Sequence, residues 1–368
     1  MKNLPPLNTI LLISSAFGLL ASNATAQEEA VLNIYNWSGY IAEDTIEKFE
    51  AQTGIHVNYD VFDTNELLEA KLLTGNSGYD LVVPTASFLE RQIVAGLFQP
   101  LDQSKLPNLV NLDPTIMGAV ETNDPGNTHA IVYMWGTTGF GYNIEAINAR
   151  IPDAPVNSWA MLFDPEIVSK FADCGVSLLD APAEVFPAAL KYLGLDPLSE
   201  SPDDLEKAEA AIMAIRPYIR YFHASQYISD LANADTCLAH GYSGDVLQAL
   251  DRANEAAQDV KLVYSIPEEG AVIWFDMMAI PTDAPHPDNA HKFINFVMQA
   301  QIAADITNYV WYANANAASY DLVDPDITSD TGIYPSDAVK ANLFTVRAHS
   351  AQYERLMNRA WTRIKTGI

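Results

Sequence analysis

Apolar and polar positions recur with two different periods along the chain, which predicts an alternation of strands and helices. Residues 31–35 form an apolar stretch with the composition of a buried strand. Ile46 and Phe49 then share one face of a predicted helix, which Gly54 ends. Apolar or aromatic side chains return at every second position over residues 57–61, as in a strand with one buried face.

Two capping-box patterns predict where the next helices begin. Asp63 with Glu66, and Ser87 with Glu90, each place a short polar side chain three residues before a glutamate. The stretch "DLVVPTA" between them predicts a buried strand of a parallel sheet. The resulting order of strand, helix, strand, helix, strand and helix predicts a doubly wound sheet with helices on both faces.

Polar and aromatic residues follow two of these strands. Trp37 and Ser38 come after the first strand, and Thr85 comes after the third. Because such sheets bind ligands beyond the carboxyl ends of their strands, we expect these residues to border a binding site.

A second alternating unit occupies the middle of the chain. The stretches "CGVSLLDAPAEVFPAALKYLG" and "CLAHGYSGDVLQAL" each predict a strand, a loop and a helix. Two extended stretches, "YMWGTTGFGYN" and "YSIPEEGAVIWFDMMAIP", are interpreted as connections that cross between lobes. We therefore expect an α/β protein with two lobes, formed by residues 27–135 with 270–304 and by residues 136–269 with 305–368.

The N-terminus has the features of a cleaved export signal. Lys2 supplies a positive charge, residues 10–20 are mostly apolar, and residues 24–26 form a small-residue cleavage pattern. The apolar stretch is shorter than the ~20 residues that cross a bilayer. We expect cleavage after Ala26 and a soluble, exported chain that starts at Gln27.

The negative net charge of the chain indicates which classes of binding partner to expect. The chain has 47 acidic and 20 basic residues, which gives a formal net charge of −27. Nucleic acid and anionic lipid are not expected as partners because both need a basic surface, whereas a cationic solute is attracted. The alternative is an acidic surface that serves solubility or salt adaptation.

The two cysteines, Cys174 and Cys237, are expected to form a disulfide. An isolated pair of cysteines in an exported protein is typical of one disulfide bond. The alternative is two separate buried thiols. Neither cysteine has the neighbouring ligands of a zinc site, so no metal is expected there.

Several short motifs do not support catalysis or metal binding. "GYSGD" departs from the spacing of a serine nucleophile elbow, and "GTTGFG" has its glycines in the reverse order from a dinucleotide-binding loop. The proline and the late glycine of "DPDITSDTG" do not fit a calcium loop. His286 and His291 lie in a proline-rich segment, where metal binding is a weak alternative.

Aromatic and acidic residues near predicted strand ends form a chemically coherent set. The aromatic members are Trp37, Tyr242, Trp274 and Tyr312, and the acidic members are Glu184, Asp245 and Asp276. Carboxylates pair with the ammonium heads of an alkyl diamine, and rings cover its methylenes and add ~0.5–2 kcal/mol each by cation–π attraction. The alternative for each residue alone is packing or helix capping.

The chain resembles the periplasmic polyamine-binding proteins of ABC transporters, and among them the putrescine-binding branch. The resemblance runs from about residue 31 to the C-terminus and includes "YNWSGYIA", "YDVFDTNELLEAKL", "DLVVPTASFLERQ", "YFHASQYISDLANAD" and "WYANAN". It implies a type II binding protein in which two lobes, each a mixed sheet flanked by helices, close on a polyamine in the interlobe cleft. It also implies a monomer that delivers the ligand to a membrane permease, without catalysis and without a cofactor.

The resemblance also implies which residues bind the ligand. The matching positions are Trp37, Ser38, Thr85, Glu184, Tyr242, Asp245, Trp274, Asp276 and Tyr312. Thr85 stands where a serine is usual, Tyr242 where a tryptophan is usual, and Trp274 where a phenylalanine is usual. The family's disulfide matches Cys174 and Cys237.

One departure affects the choice of polyamine. Gly39 occupies a position that is acidic in most of the family, which removes a carboxylate from the mouth of the cleft. Putrescine is the expected ligand on overall similarity, and spermidine is the alternative. A polyamine chemosensory receptor and an exported two-lobed enzyme are the other classes considered.

Overall fold

The computed structural model describes residues 1–2 and 28–367 of the chain. The expected export signal and its cleavage site lie outside the described residues, apart from the first two positions. None of the helices in the described ranges combines the length and the apolar composition that crossing a bilayer requires.

The strands of the described ranges form one mixed, ten-stranded β-sheet. They are β1 (Val31–Trp37), β2 (His56–Phe62), β3 (Leu81–Val82), β4 (Ala130–Asn143), β5 (Val176–Leu178), β6 (Tyr221–Phe222), β7 (Leu238–Tyr242), β8 (Leu262–Ser265), β9 (Val272–Ala279) and β10 (Ala313–Asn314). The order across the sheet is β2-β1-β3-β9-β4-β7-β5-β6, and both β8 and β10 pair with β4.

The long strands β4 and β9 join two parallel halves of the sheet. Strands β2 and β3 run parallel to β1 in one half, and β6 and β7 run parallel to β5 in the other. Antiparallel pairs connect β3 to β9, β9 to β4 and β4 to β7. The two stretches predicted to cross between lobes lie in these two strands. The expected mixed sheet is confirmed, whereas an all-parallel sheet is correct only within each half.

Helices flank this sheet. The α-helices are α1 (Thr45–Thr53), α2 (Asn65–Leu73), α3 (Ala86–Val94), α4 (Pro114–Ala119), α5 (Ile144–Asn148), α6 (Ala160–Phe163), α7 (Pro165–Val168), α8 (Pro182–Tyr192), α9 (Pro202–Ile215), α10 (Gln226–Ala232), α11 (Ser243–Glu255), α12 (Pro287–Val297), α13 (Ala300–Val310), α14 (Pro325–Thr328), α15 (Asp337–Lys340) and α16 (Ala351–Thr366). Short 3₁₀ helices occupy Gln103–Lys105, Pro107–Asn111, Ser169–Phe171, Arg216–Tyr218 and Ala317–Leu322.

The residues that precede α2 and α3 differ from the predicted caps. Thr64 caps α2, since its hydroxyl accepts a hydrogen bond from the N–H of Leu67 at 3.2 Å. Thr85 precedes α3 but makes no capping bond with its side chain. Neither Asp63 nor Ser87 is therefore the N-cap residue, and the hydroxyl of Thr85 remains available for another contact.

The buried side chains form cores on both sides of the crossing strands. Residues 32–135 and 272–333 supply nearly all of two adjoining apolar clusters, which we call the first lobe. Residues 140–271 and 353–364 supply a third cluster, which we call the second lobe. Each lobe thus has its own hydrophobic core, as a separate domain requires.

The predicted lobe boundary at residue 304 differs from this packing. It falls within α13, whose residues Ile302 and Ile306 lie in the same cluster of the first lobe. Because the buried apolar residues from 306 to 333 also lie in the two clusters of the first lobe, we assign residues 305–333 to that lobe. The rest of the two-lobe division stays a proposal.

The predicted disulfide is confirmed, since Cys174 and Cys237 are bonded to each other across 63 residues of sequence. Cys174 lies two residues before β5 and Cys237 one residue before β7, and the first residues of these strands, Val176 and Leu238, are paired in the sheet. Closing a loop of this size stabilises a fold by ~2–4 kcal/mol in the unfolded-state entropy model. The bond therefore fixes the start of two neighbouring parallel strands in the second lobe.

His240 is a titratable side chain within the core of the second lobe. It is 0% exposed, lies 5.6 Å from the ring of Trp159, and neither ring nitrogen has a hydrogen-bonding partner among the described residues. Burial lowers the pKa of His240 to about 3, from an ordinary value of 6.5. The folded chain therefore holds a neutral imidazole.

We expect His240→Leu to weaken the acid sensitivity of the fold. Because the folded pKa lies below the unfolded pKa, acidification from pH 6.5 favours the unfolded state by ~1.4 kcal/mol per pH unit until about pH 3. The free energy of unfolding, measured in urea from pH 4 to 8, should fall less steeply with acid in the variant. His56→Gln, at an exposed histidine, is the matched control. Parallel curves for wild type and His240→Leu would contradict the prediction.

Candidate functional site

One cavity of about 380 Å³ lies between the lobes and is lined by residues of both. This volume falls in the range of small-molecule binding sites. All nine sequence-predicted ligand-binding residues line it: Trp37, Ser38, Thr85, Glu184, Tyr242, Asp245, Trp274, Asp276 and Tyr312. The structure therefore brings the whole predicted set together, and their contact with a ligand stays a prediction.

The sheet explains why these distant residues meet. Trp37 ends β1, and Tyr242 ends β7, so the carboxyl ends of parallel strands from both lobes border the same cavity. Trp274 and Asp276 lie two residues apart on β9, where alternate side chains share one face. Glu184 lies in the first turn of α8, which follows β5. The cavity is thus located at the strand edge where α/β sheets bind ligands.

The carboxylate of Asp276 is held by two hydroxyl groups of the first lobe. Thr85 donates its hydroxyl hydrogen to Oδ1 at 2.7 Å, and Tyr40 donates to Oδ2 at 2.9 Å. Asp276 is only 5% exposed, and burial raises its pKa to about 7, although both hydrogen bonds act in the opposite direction. No lysine or arginine of the described ranges forms an ion pair with this carboxylate.

Asp245, in the first turn of α11, is held by two phenols. Tyr312 donates to Oδ1 and Tyr227 donates to Oδ2, each at 2.6 Å. Burial raises the pKa of Asp245, while these two hydrogen bonds and the charge of Arg252 lower it. Because Tyr312 belongs to the first lobe and Asp245 to the second, their bond also connects the lobes across the cavity.

Glu184 is a third acidic side chain at the cavity. Its Oε2 atom is buried and has no hydrogen-bonding partner within the described part of the chain. Burial raises the pKa of Glu184 to about 7, the Thr138 side chain acts in the opposite direction, and the charge of Asp276 adds to the increase. Glu184 is therefore a carboxyl group without a basic partner among the described residues.

Aromatic rings form a continuous wall of the cavity. Tyr242, Trp274, Tyr312 and Tyr40 follow one another in edge-to-face contacts, with ring centroids 5.3–5.8 Å apart. The indole N–H of Trp37 donates to the carbonyl oxygen of Val83 at 2.8 Å, which fixes that ring at the end of β1. The wall offers ring faces and edges to a ligand with an apolar body.

Two glycines make room for these rings. A Cβ atom at Gly136 would lie 2.6 Å from the ring of Trp274, and one at Gly244 would lie 2.6 Å from the ring of Tyr312. Any larger residue at either position would push an aromatic ring out of place. The glycines in "YMWGTT" and "GYSGD" therefore serve close packing of the cavity wall.

Several residues at the site were not predicted from the sequence. Tyr40, Arg252 and residues 224–226 and 228–229 line the cavity, and Tyr227 reaches Asp245 from behind it. Tyr40 and Tyr227 lie within the stretches "YNWSGYIA" and "YFHASQYISDLANAD", but the sequence gives no signal that their hydroxyls contact carboxylates. Gly39 lines the cavity with a φ of +67°, a conformation that favours glycine.

The chemistry of the site is that of cation binding without a metal. Across residues 28–367, no three histidine, cysteine or acidic side chains converge closely enough to hold a metal ion. The acidic groups of the cavity are instead separated by rings and accept hydrogen bonds from hydroxyls. This arrangement suits an organic cation with more than one charged end.

The comparisons with known proteins agree with this chemistry. Residues 44–335 match the family model of the bacterial extracellular solute-binding proteins. The putrescine-binding periplasmic protein SpuD of Pseudomonas aeruginosa is 52% identical over 360 residues, which cover 98% of each chain. The putrescine-binding periplasmic protein PotF of Escherichia coli is 49% identical over 358 residues, or 97% of each chain. The solved structure of the spermidine/putrescine ABC transporter substrate-binding protein PotD from Streptococcus pneumoniae is 27% identical, with a TM-score of 0.76 over 92% of this chain and 99% of that one.

We expect Asp276→Asn to change how the stability of the ligand-free protein depends on pH. A carboxyl group whose folded pKa is raised to about 7 stabilises the fold fully below its unfolded pKa of ~3.9, and this contribution is lost as the pH rises through 7. The variant, which cannot ionise, should therefore gain stability relative to wild type between pH 5 and 8 in urea denaturation.

The exposed carboxylate of Asp321 supplies the control for this measurement. Asp321→Asn should leave the pH dependence of unfolding as in wild type. If the difference between wild type and Asp276→Asn stays constant from pH 5 to 8, the carboxyl group of Asp276 does not titrate in this range and the prediction is wrong.

Proposed function

Because the chain belongs to the family of bacterial extracellular solute-binding proteins, we propose that it captures a polyamine in the interlobe cavity and delivers it to the permease of an ABC transporter. Putrescine is the favoured ligand. The observation that carries the proposal is the pair of carboxylates, half-buried Asp245 and buried Asp276, on the two lobes of one aromatic cavity.

Each of these carboxylates has acceptor capacity left for a ligand. A carboxylate offers about four lone-pair positions, whereas the hydroxyls around Asp245 and Asp276 use one position on each oxygen. A buried anion without a cationic partner is costly. An ammonium group at each carboxylate supplies the missing charge and fills the remaining positions, so a diamine matches the two sites with its two ends.

The aromatic wall accounts for the middle of the ligand. The methylenes of an alkyl diamine need an apolar surface, and the rings of Trp274 and Tyr312 provide one between the two lobes. Ring faces also attract ammonium groups by ~0.5–2 kcal/mol each. The same pocket disfavours inorganic cations, which would lose their water without enough oxygen ligands in return.

Spermidine has one more charged amine than putrescine, so the choice between them depends on whether a third carboxylate, Glu184, contacts the ligand. The relatives SpuD and PotF are named as putrescine-binding proteins, which supports putrescine. The partnerless Oε2 of Glu184 offers a third acidic contact, which supports spermidine as the second candidate. Gly39 leaves the mouth of the cavity without the carboxylate that is usual there, so the mouth contributes less to charge recognition.

The proposal includes export, a monomeric state and the absence of catalysis. The relatives are named as periplasmic proteins, which supports removal of the leader after Ala26 and a periplasmic location. The residues of the cavity support non-covalent binding, in which no covalent bond of the ligand is made or broken. A chemosensory receptor would use the same pocket but would transmit binding to a different docking partner.

Calorimetry with putrescine, cadaverine, agmatine, spermidine and spermine tests the proposal directly. We expect 1:1 binding of putrescine, with a higher melting temperature in its presence because the ligand binds only the folded state. Spermidine binding more tightly than putrescine would favour the second candidate. If none of the five amines binds or shifts the melting curve at ~100-fold molar excess, polyamine binding is wrong.

We expect Asp276→Asn and Asp245→Asn each to weaken putrescine binding by ~100-fold or more, because an ammonium group loses its buried counter-charge at a cost of ~3–5 kcal/mol. Calorimetry on the folded proteins measures the effect. Asp80→Asn is the control, because Asp80 is a buried aspartate, 0% exposed, that lies outside the cavity, beside His286. It should lower stability and leave the affinity unchanged. Unchanged affinity in both cavity variants would assign their carboxylates to structure alone.

A further inference from the structure

Tyr227 connects two residues of the cavity without lining it. Its ring belongs to α10 and is only 1% exposed, within the core of the second lobe. Its hydroxyl donates to Oδ2 of Asp245 at 2.6 Å and accepts the backbone N–H of Tyr242 at 3.0 Å. One buried oxygen atom thus ties the end of β7 to the first turn of α11.

The direction of the Tyr227 hydroxyl hydrogen follows from these partners. The N–H of Tyr242 can only donate, so the phenol oxygen accepts there and its single hydrogen is left for Asp245. Tyr312 makes the same pair of bonds from the opposite lobe, since it donates to Oδ1 and accepts the N–H of Asp245 itself at 3.1 Å. Both oxygens of Asp245 are therefore fixed by phenols.

The ring of Tyr227 packs directly against the backbone of β7. A Cβ atom at Gly241, in β7, would lie 2.4 Å from the ring, so the ring lies directly against the strand backbone. The glycine is needed for close approach, since any side chain there would displace the phenol from Asp245.

We infer that Tyr227 is a positioning residue for the proposed amine site: it holds the carboxylate of Asp245 in one orientation and favours its ionised form. The inference rests on the proposed function only for the identity of the ligand. A hydrogen bond donated to a carboxylate stabilises the charged state, which is the state that pairs with an ammonium group. The remaining lone pairs of Asp245 then face the cavity.

The other charged and titratable groups around Asp245 do not substitute for the hydrogen bond that Tyr227 donates to its carboxylate. Arg252, on the same helix, lowers the pKa of Asp245 less than the bonds of Tyr227 and Tyr312 do. The other titratable groups that interact with the charge of Asp245 are the phenols of Tyr242 and Tyr40. Burial raises the pKa of both phenols, so both stay neutral. Loss of the Tyr227 hydroxyl should therefore raise the pKa of Asp245.

The test compares Tyr227→Phe with wild type in two measurements. Carbon-13 NMR of the ligand-free protein should show the Asp245 carboxyl titrating at a higher pH in the variant. Calorimetry with putrescine should show affinity reduced by ~10-fold at pH 7, with a larger loss at pH 6 and a smaller one at pH 8. A purely structural role would lower the melting temperature and leave the pH profile of affinity parallel to that of wild type.

Tyr221→Phe is the matched control. Tyr221 also donates its hydroxyl to a carboxylate, Oδ2 of Asp230, at 2.6 Å, but neither residue lines the cavity. This variant should change neither the affinity nor its pH dependence.

The two measurements separate the inference from the proposed function. If wild type fails to bind putrescine, the proposed ligand is wrong, and the NMR titration alone decides the role of Tyr227. An Asp245 titration that is unchanged in Tyr227→Phe overturns the inference in either case.

Discussion

The antiparallel pairing of β4 with β9 is the constraint on which the site depends. These two strands pass through the middle of the sheet, and the parallel strands of each lobe attach to their outer edges. The register sets Gly136 opposite Trp274 and Met134 opposite Asp276. Because side chains alternate along a strand, Trp274 and Asp276 face the cavity while Phe275 between them is buried in the core of the first lobe. A shift by one residue would exchange these faces and remove the site.

No lysine or arginine of the described residues forms an ion pair with the acidic side chains Asp245, Asp276 and Glu184 of the cavity. Arg252, which also lines the cavity, acts on Asp245 through its charge alone. Hydroxyl groups, two at Asp276 and two at Asp245, provide hydrogen bonds without neutralising charge. A lysine or arginine in their place would satisfy the carboxylates permanently and leave nothing for an ammonium ligand to gain. The high net negative charge of the chain acts at longer range, where it attracts cationic solutes toward the cleft.

Much of the site could be predicted because it follows from local rules. Trp37, Thr85 and Tyr242 are predicted from the strands that they follow or end, and the family resemblance assigns ligand contacts to these and to acidic residues such as Glu184. The hydroxyl partners could not be predicted in this way. Tyr40 lies 236 residues from Asp276 in sequence, and only the folded first lobe brings the two together. The lobe to which residues 305–333 belong was not predicted for a similar reason, since it depends on which core the side chains of α13 enter.

The sequence by itself determined the alternation of strands and helices, the pairing of the two cysteines and the residue types of a site for a cationic ligand. It also predicts the export signal. These properties depend on periodicity, composition and motifs within short stretches. The tertiary structure alone decided which hydroxyl holds which carboxylate, which glycines admit the rings, and how far each carboxyl pKa is raised. Those properties depend on burial and on distances between residues far apart in the chain, and neither quantity exists until the two lobes are folded against β4 and β9.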